Sequence, residues 1–229
     1  MRTELIVVLD VDTREDALRV VEACGACPFF KVGSQLFTRC GPSIVREIQD
    51  LGKKVFLDLK FHDIPNTVAK AAKSAADLGV ALFTLHATGG RRMIEAAREA
   101  VEGSETRILG VTVLTSLSDE MLKSEIGLPE TTSQAVTRLA KLAVESGAHG
   151  IVSSPQEIAH VREAVGLKPL IVTPGIRPGW SASKDDQVRI TTPRQAAEAG
   201  ADFVVIGRPI LKHENPAEAV RLILEELTL

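Results

Sequence analysis

Short apolar runs rich in β-branched residues alternate with longer amphipathic stretches along the whole chain. The short runs have the length and residue types of buried strands, over 4–10, 28–33, 54–60, 81–86, 107–113, 149–153, 169–173 and 202–206. Apolar positions at helical spacing fill 14–24, 41–51, 65–78, 91–102, 132–146, 155–165, 193–199 and 216–227. Ser154-Pro155-Gln156-Glu157, Thr192-Pro193-Arg194-Gln195 and Asn215-Pro216-Ala217-Glu218 each offer a capping side chain followed by a proline, which lacks only an N–H that the first helical turn leaves unpaired anyway. Gly52, Gly79, Gly147 and Gly200 stand where helices should end.

Eight strands alternating with eight helices predict parallel strands joined by helical crossovers. An open doubly wound sheet usually carries a glycine-rich turn after its first strand, whereas Asp10-Val11-Asp12-Thr13 fills that place here. A closed (β/α)8 barrel, the TIM barrel, fits better, and 229 residues is an ordinary length for one. With no linker or low-complexity tract to divide the chain, residues 1–229 read as a single domain.

Composition narrows the partners. The chain is 45% hydrophobic and 25% charged, as soluble globular proteins are. A net charge of −3 provides no global field for nucleic acid, although a local anion site is compatible with it. No apolar run approaches the roughly 18–20 residues of a membrane span. Met1-Arg2-Thr3-Glu4 leads straight into the first strand without a signal-peptide layout, so a cytoplasmic protein is expected. Of the three cysteines, Cys24 and Cys27 have redox or zinc spacing, but no second Cys/His pair completes a four-ligand site, and both are read as structural.

Barrels of this kind place their chemistry at the C-terminal ends of the strands. Those ends are polar here: Asp10 on the first strand, Lys31 on the second, Asp58 and Lys60 on the third and His86 on the fourth, with Thr112, Thr115 and Ser116 at or after the fifth. Alternation puts Asp58 and Lys60 on one face of their strand, and Val55, Leu57 and Leu59 on the other, toward the outer helices. An isolated Asp-x-Lys could be a self-compensating ion pair. Lys31 on the neighbouring strand and Asp63 three residues beyond Lys60 favour a functional cluster, because such a set is costly to assemble for stability alone. His62 is expected to pack or to make loop hydrogen bonds, and His86 to make a structural hydrogen bond.

The loops after the last two strands form a second candidate region, since phosphate sites of this fold commonly sit there. Pro174-Gly175-Ile176-Arg177-Pro178 follows the seventh strand and Gly207-Arg208-Pro209 the eighth. Gly207 allows close backbone approach to an anion, a following helical turn would aim its N–H groups there, and Arg177 and Arg208 add positive charge. The segment 179–190 is long for a barrel connection and contains Trp180, Ser181, Ser183, Lys184 and Gln187; a lid and a mobile surface loop both fit it.

The run from Phe56 through Asp58-Leu59-Lys60-Phe61-His62-Asp63-Ile64-Pro65-Asn66-Thr67 resembles the signature segment of orotidine 5′-phosphate decarboxylases. The similarity extends to Leu9-Asp10, Lys31-Val32-Gly33, Val113-Leu114-Thr115-Ser116, Thr173 to Pro178 and Ile206 to Pro209, in the order that family requires. The resemblance implies a homodimeric, metal- and cofactor-free enzyme that converts orotidine 5′-phosphate to UMP and CO2. It implies that Lys60 protonates C6 within an array of Lys31, Asp58 and Lys60, completed by Asp63 of the partner subunit. Asp10 and Lys31 would meet the ribose, with Ile64 and Thr67 near the same site and Thr67 reaching across the interface. Thr115 and Ser116 would hold the pyrimidine, Gln187 would bridge base and phosphate, and Pro174, Arg177, Gly207 and Arg208 would form the phosphate end. Two rival readings are a metal-dependent phosphosugar aldolase or β-keto acid decarboxylase of the same superfamily, and a non-catalytic nucleotide-binding barrel. Such metal enzymes tend to carry a carboxylate at the second strand, where Lys31 would instead repel Mg²⁺.

Overall fold

The computed structural model describes residues 3–181 and 191–228. Its strands are β1 (Glu4–Val8), β2 (Phe29–Gly33), β3 (Lys54–Phe61), β4 (Leu82–His86), β5 (Arg107–Val111), β6 (Gly150–Val152), β7 (Leu170–Pro174) and β8 (Phe203–Ile206). All are parallel to their neighbours, and β1 pairs with β8 to close the barrel. Every strand expected from the hydrophobic pattern is present, with ends within a few residues of the expected ones.

The outer layer contains α1 (Arg14–Ala23), α2 (Ser34–Cys40), α3 (Ser43–Asp50), α4 (Pro65–Asp77), α5 (Arg91–Ala100), α6 (Asp119–Ser124), α7 (Thr132–Glu145), α8 (Ile158–Val165), α9 (Pro193–Glu198), α10 (Arg208–Leu211) and α11 (Pro216–Glu226). Thr192 and Gln195 form a reciprocal capping box at α9, and Asn215 accepts from the Glu218 N–H at α11. The Ser154-Pro155 signal instead opens a 3₁₀ turn, Pro155–Glu157, that leads into α8. The hydrophobic pattern does not announce α2 and α6, because seven and six residues are too few to establish a helical period. The anticipated turn after Gly207 is α10.

Alternation along the strands makes two apolar regions. Leu5, Val7, Val55, Leu57, Phe83 and Ile171 face outward and pack under the helices. Ile6, Val8, Phe29, Phe56, Leu82, Leu109, Val172, Phe203 and Val205 fill the barrel interior, where Phe29 and Phe203 meet edge to face with centroids 5.2 Å apart. Two residues further along β2 and β3, the inward positions become Lys31 and Asp58, so the apolar plug is the floor on which the polar mouth rests.

Cys24 and Cys27 belong to the outer core and are free thiols. Burial pushes both up to about 11, which disfavours the thiolate that redox or metal chemistry would need. Among the described residues no helix is long and apolar enough to cross a membrane.

Candidate active site

Four charged side chains alternate in sign across the mouth. Lys31 Nζ lies 3.4 Å from Asp10 Oδ1 and 3.5 Å from Asp58 Oδ2. Lys60 Nζ lies 2.9 Å from both oxygens of Asp58. Asp58 is therefore held between two ammonium groups, and its side chain and that of Lys31 are only 12% and 13% exposed. Burial acts to raise the Asp58 pKa. The Lys31 and Lys60 charges, with hydrogen bonds from Lys60 and Thr84, outweigh it and hold the carboxyl below its ordinary value. Asp58 is thus a fixed carboxylate beside the Lys60 ammonium.

Simple alternation places Asp58 and Lys60 together, but the backbone brings Lys60 there by a different route. Leu57 pairs with Phe83 and Phe61 with Leu85, so Asp58, Leu59 and Lys60 stand opposite Thr84 alone. This bulge puts Lys60 in the left-handed region at φ 52°, the one non-glycine residue there among the described residues. Such a conformation costs on the order of 1–3 kcal/mol and persists only where the surroundings impose it. Fully buried Thr84 takes part in imposing it: its hydroxyl accepts from the Lys60 N–H at 2.9 Å and donates to Asp58 Oδ1 at 2.9 Å.

The array opens into a cavity of about 400 Å³, a size suited to a small ligand. Asp10, Lys31, Asp58 and Lys60 line one side, and Thr115 and Ser116 another. Pro174, Arg177, Gly207 and Arg208 line it from the end of β7 and the segments after β7 and β8, and Val8, Phe56, Val172 and Val205 supply an apolar floor. A Cβ at Gly207 would lie 3.0 Å from Val8 Cβ, a tight contact in which the loop or Val8 would have to give by a few tenths of an ångström. Thr112, considered with this cluster, is buried and bonds to the Val152 carbonyl, a tie between β5 and β6.

Three expected site residues lie outside this cavity. Asp63 and Ile64 are exposed on the β3–α4 connection and Thr67 in the first turn of α4, and the Asp63 carboxylate accepts from the Ile64 N–H at 2.6 Å instead of joining the array. Gln187, with Ser183 and Lys184, lies outside the described residues. The expected structural hydrogen bond of His86 is replaced by a ring contact with His62, at 5.3 Å between centroids. Burial, with the neighbouring His62 and Lys60, pushes His86 below its ordinary pKa against the pull of Asp58, which favours the neutral ring beside the array.

Sequence reasoning missed Thr84 and the apolar floor. A threonine at an inward strand position between Leu82 and His86 was the available signal for the first. The second follows from the same alternation applied to Phe56 on β3.

A closed parallel barrel with lysines and carboxylates on early strands and a glycine–arginine end on the last defines an enzyme of the (β/α)8 class. Residues 3–223 match the family described as "Orotidine 5'-phosphate decarboxylase / HUMPS family", and the chain belongs to it. It is 50% identical to the orotidine 5'-phosphate decarboxylase of Heliobacterium modesticaldum, over 99% of this chain and 96% of that protein. With the Syntrophomonas wolfei protein of that name it shares 51% identity, over 97% of each. The crystal structure of the Lactobacillus acidophilus orotidine 5'-phosphate decarboxylase superposes with a TM-score of 0.89 at 38% identity, covering all of both chains.

Proposed function

We propose that this protein decarboxylates orotidine 5′-phosphate to UMP and CO2 in pyrimidine biosynthesis, with Lys60 as the proton donor to C6. The observation that carries this reading is the Asp10–Lys31–Asp58–Lys60 array sharing one cavity with the Gly207–Arg208 end. The near full-length relatives at about half identity are named for this reaction.

In the proposed reaction the bond between C6 and the carboxylate breaks, its electron pair stays in the ring plane on C6, and CO2 departs. No ring orbital conjugates with that pair, so the site must stabilise it electrostatically. The Lys60 ammonium supplies the nearest positive charge and then transfers its proton to C6. Asp58, held ionised, accepts from that ammonium and faces the substrate carboxylate with like charge. Asp10 and Lys31 bind the ribose, Thr115 and Ser116 the pyrimidine, and Pro174, Arg177, Gly207 and Arg208 the phosphate end, joined by Gln187. Binding energy from the remote phosphate is then available for the transition state.

Asp63, Ile64 and Thr67 fit this scheme as groups presented to a second copy's site. Their exposure next to the mouth supports a homodimer, with Asp63 as the fourth charge of the partner's array. The cytoplasm is the proposed compartment. Lys31 stands where an aldolase of this superfamily would need a metal-binding carboxylate, which favours decarboxylation without metal. The test is loss of orotidine 5′-phosphate absorbance with purified protein in EDTA. Lys60→Ala should lower kcat/KM by at least about 10³-fold, roughly 4 kcal/mol of transition-state stabilisation. Near-normal turnover by that variant would remove Lys60 from the role.

A further inference from the structure

We infer that Thr84 is a positioning residue for this reaction, its single hydroxyl locking the Lys60 backbone and the Asp58 carboxylate into one unit. The inference rests on the decarboxylase reading of the site.

The geometry allows one assignment of the hydroxyl proton. A backbone N–H can only donate, so Thr84 Oγ1 accepts from Lys60 N at 2.9 Å. Its own proton is then available for Asp58 Oδ1, also at 2.9 Å. A carboxylate held ionised between two ammonium groups accepts it. Thr84 is thus polarised in one direction, from the Lys60 amide through the hydroxyl to Asp58.

Its location gives that chain leverage. The Leu57–Phe83 and Phe61–Leu85 pairs leave three β3 residues opposite Thr84, and the Lys60 N–H there meets a side chain where a regular ladder would offer a strand carbonyl. Lys60 is the left-handed residue of that bulge. Without the hydroxyl, the lysine loses a backbone anchor and the carboxylate loses one of its fixed donors. The ammonium and the carboxylate would then be free to move relative to each other. Thr84 does not line the cavity, whereas Asp10, Lys31 and Arg208 do, so its loss should act on the chemical step more than on binding.

Thr84→Val keeps the shape and removes the hydroxyl, Thr84→Ser keeps the hydroxyl, and Thr84→Ala removes both. With orotidine 5′-phosphate, kcat of Thr84→Val should fall about 10- to 100-fold while KM stays within about threefold, the scale of a small misplacement of reacting groups. Thr84→Ser should return kcat to within about threefold of the parent, and circular dichroism should report folded protein throughout. If Thr84→Val fails to fold, the Ser and Ala variants decide, with Ala expected about tenfold or more below Ser. An active parent with a Val variant within about twofold of it, or a Ser variant as impaired as Val or Ala, overturns the inference alone. A parent that releases no CO2 overturns the decarboxylase reading and the inference with it.

Discussion

Gly33 leaves open the space that the Lys31 ammonium occupies: a Cβ built on Gly33 would lie 2.8 Å from Lys31 Nζ and 3.6 Å from Asp10 Oδ1. Its φ of −92° is open to any residue, so the requirement for glycine here comes from the lysine and not from the backbone. Gly33→Ala should therefore fold normally yet displace Lys31 from Asp10 and Asp58. The expected result is a fall of about tenfold or more in kcat/KM for orotidine 5′-phosphate with an unchanged melting temperature, measured by steady-state kinetics and thermal unfolding. A fully active variant would mean that the ammonium can be placed equally well elsewhere.

Asp58 makes part of the stability pH-dependent. Its folded pKa lies below the ordinary value of an aspartate, so its ionised form favours the folded state. That contribution is fully present above the unfolded pKa, about 3.9, and is lost as pH falls through the lower folded value. Asp58→Asn has no such proton to take up. The stability difference between parent and Asp58→Asn, from urea unfolding at a series of pH values, should be constant near neutrality and should shrink below about pH 4. A difference that stays constant through the acid range would count against a depressed folded pKa.

Exposed Asp63 and the embedded Lys60 can be assigned to one site or two by mixing subunits. In the proposed homodimer, Lys60→Ala and Asp63→Ala proteins should each be impaired. Heterodimers should contain one site with both residues intact, recovering up to about a quarter of parent activity after complete exchange. Native mass spectrometry would establish that exchange occurred, and no recovery despite it would confine Asp63 to its own subunit.

At the opposite end of the barrel, Arg162 and Asp202 form a pair 2.5 Å apart with side chains 12% and 13% exposed. Arg162 also donates to the Gly200 and Pro169 carbonyls, and Asp202 accepts from the Ile171 N–H. This network ties the start of β7 to that of β8, away from the mouth. Arg162→Ala should lose about 3 kcal/mol of stability in denaturant unfolding, because it leaves a largely buried carboxylate without its partner. Its kcat at a temperature where it remains folded should equal that of the parent.

The barrel and the positions that make up much of its candidate site were legible in the chain because local chemistry set them. Strand and helix periods, the Thr192 and Asn215 caps, and alternation along β2 and β3 placed the elements and turned Lys31 and Asp58 inward. The resemblance of the Asp58 to Thr67 segment assigned those positions roles that periodicity could not. Tertiary structure decided what depends on neighbours distant in sequence. Lys60 reaches Asp58 from a left-handed bulge opposite Thr84, 24 residues away, and no strand pattern reveals a register shift. Asp10, not Asp63, completes the alternating charges within one chain, because β1 lies beside β2 while Asp63 faces outward on the β3–α4 connection. Alternation determines which face a side chain takes; only the packed neighbours determine where on that face its charge comes to rest.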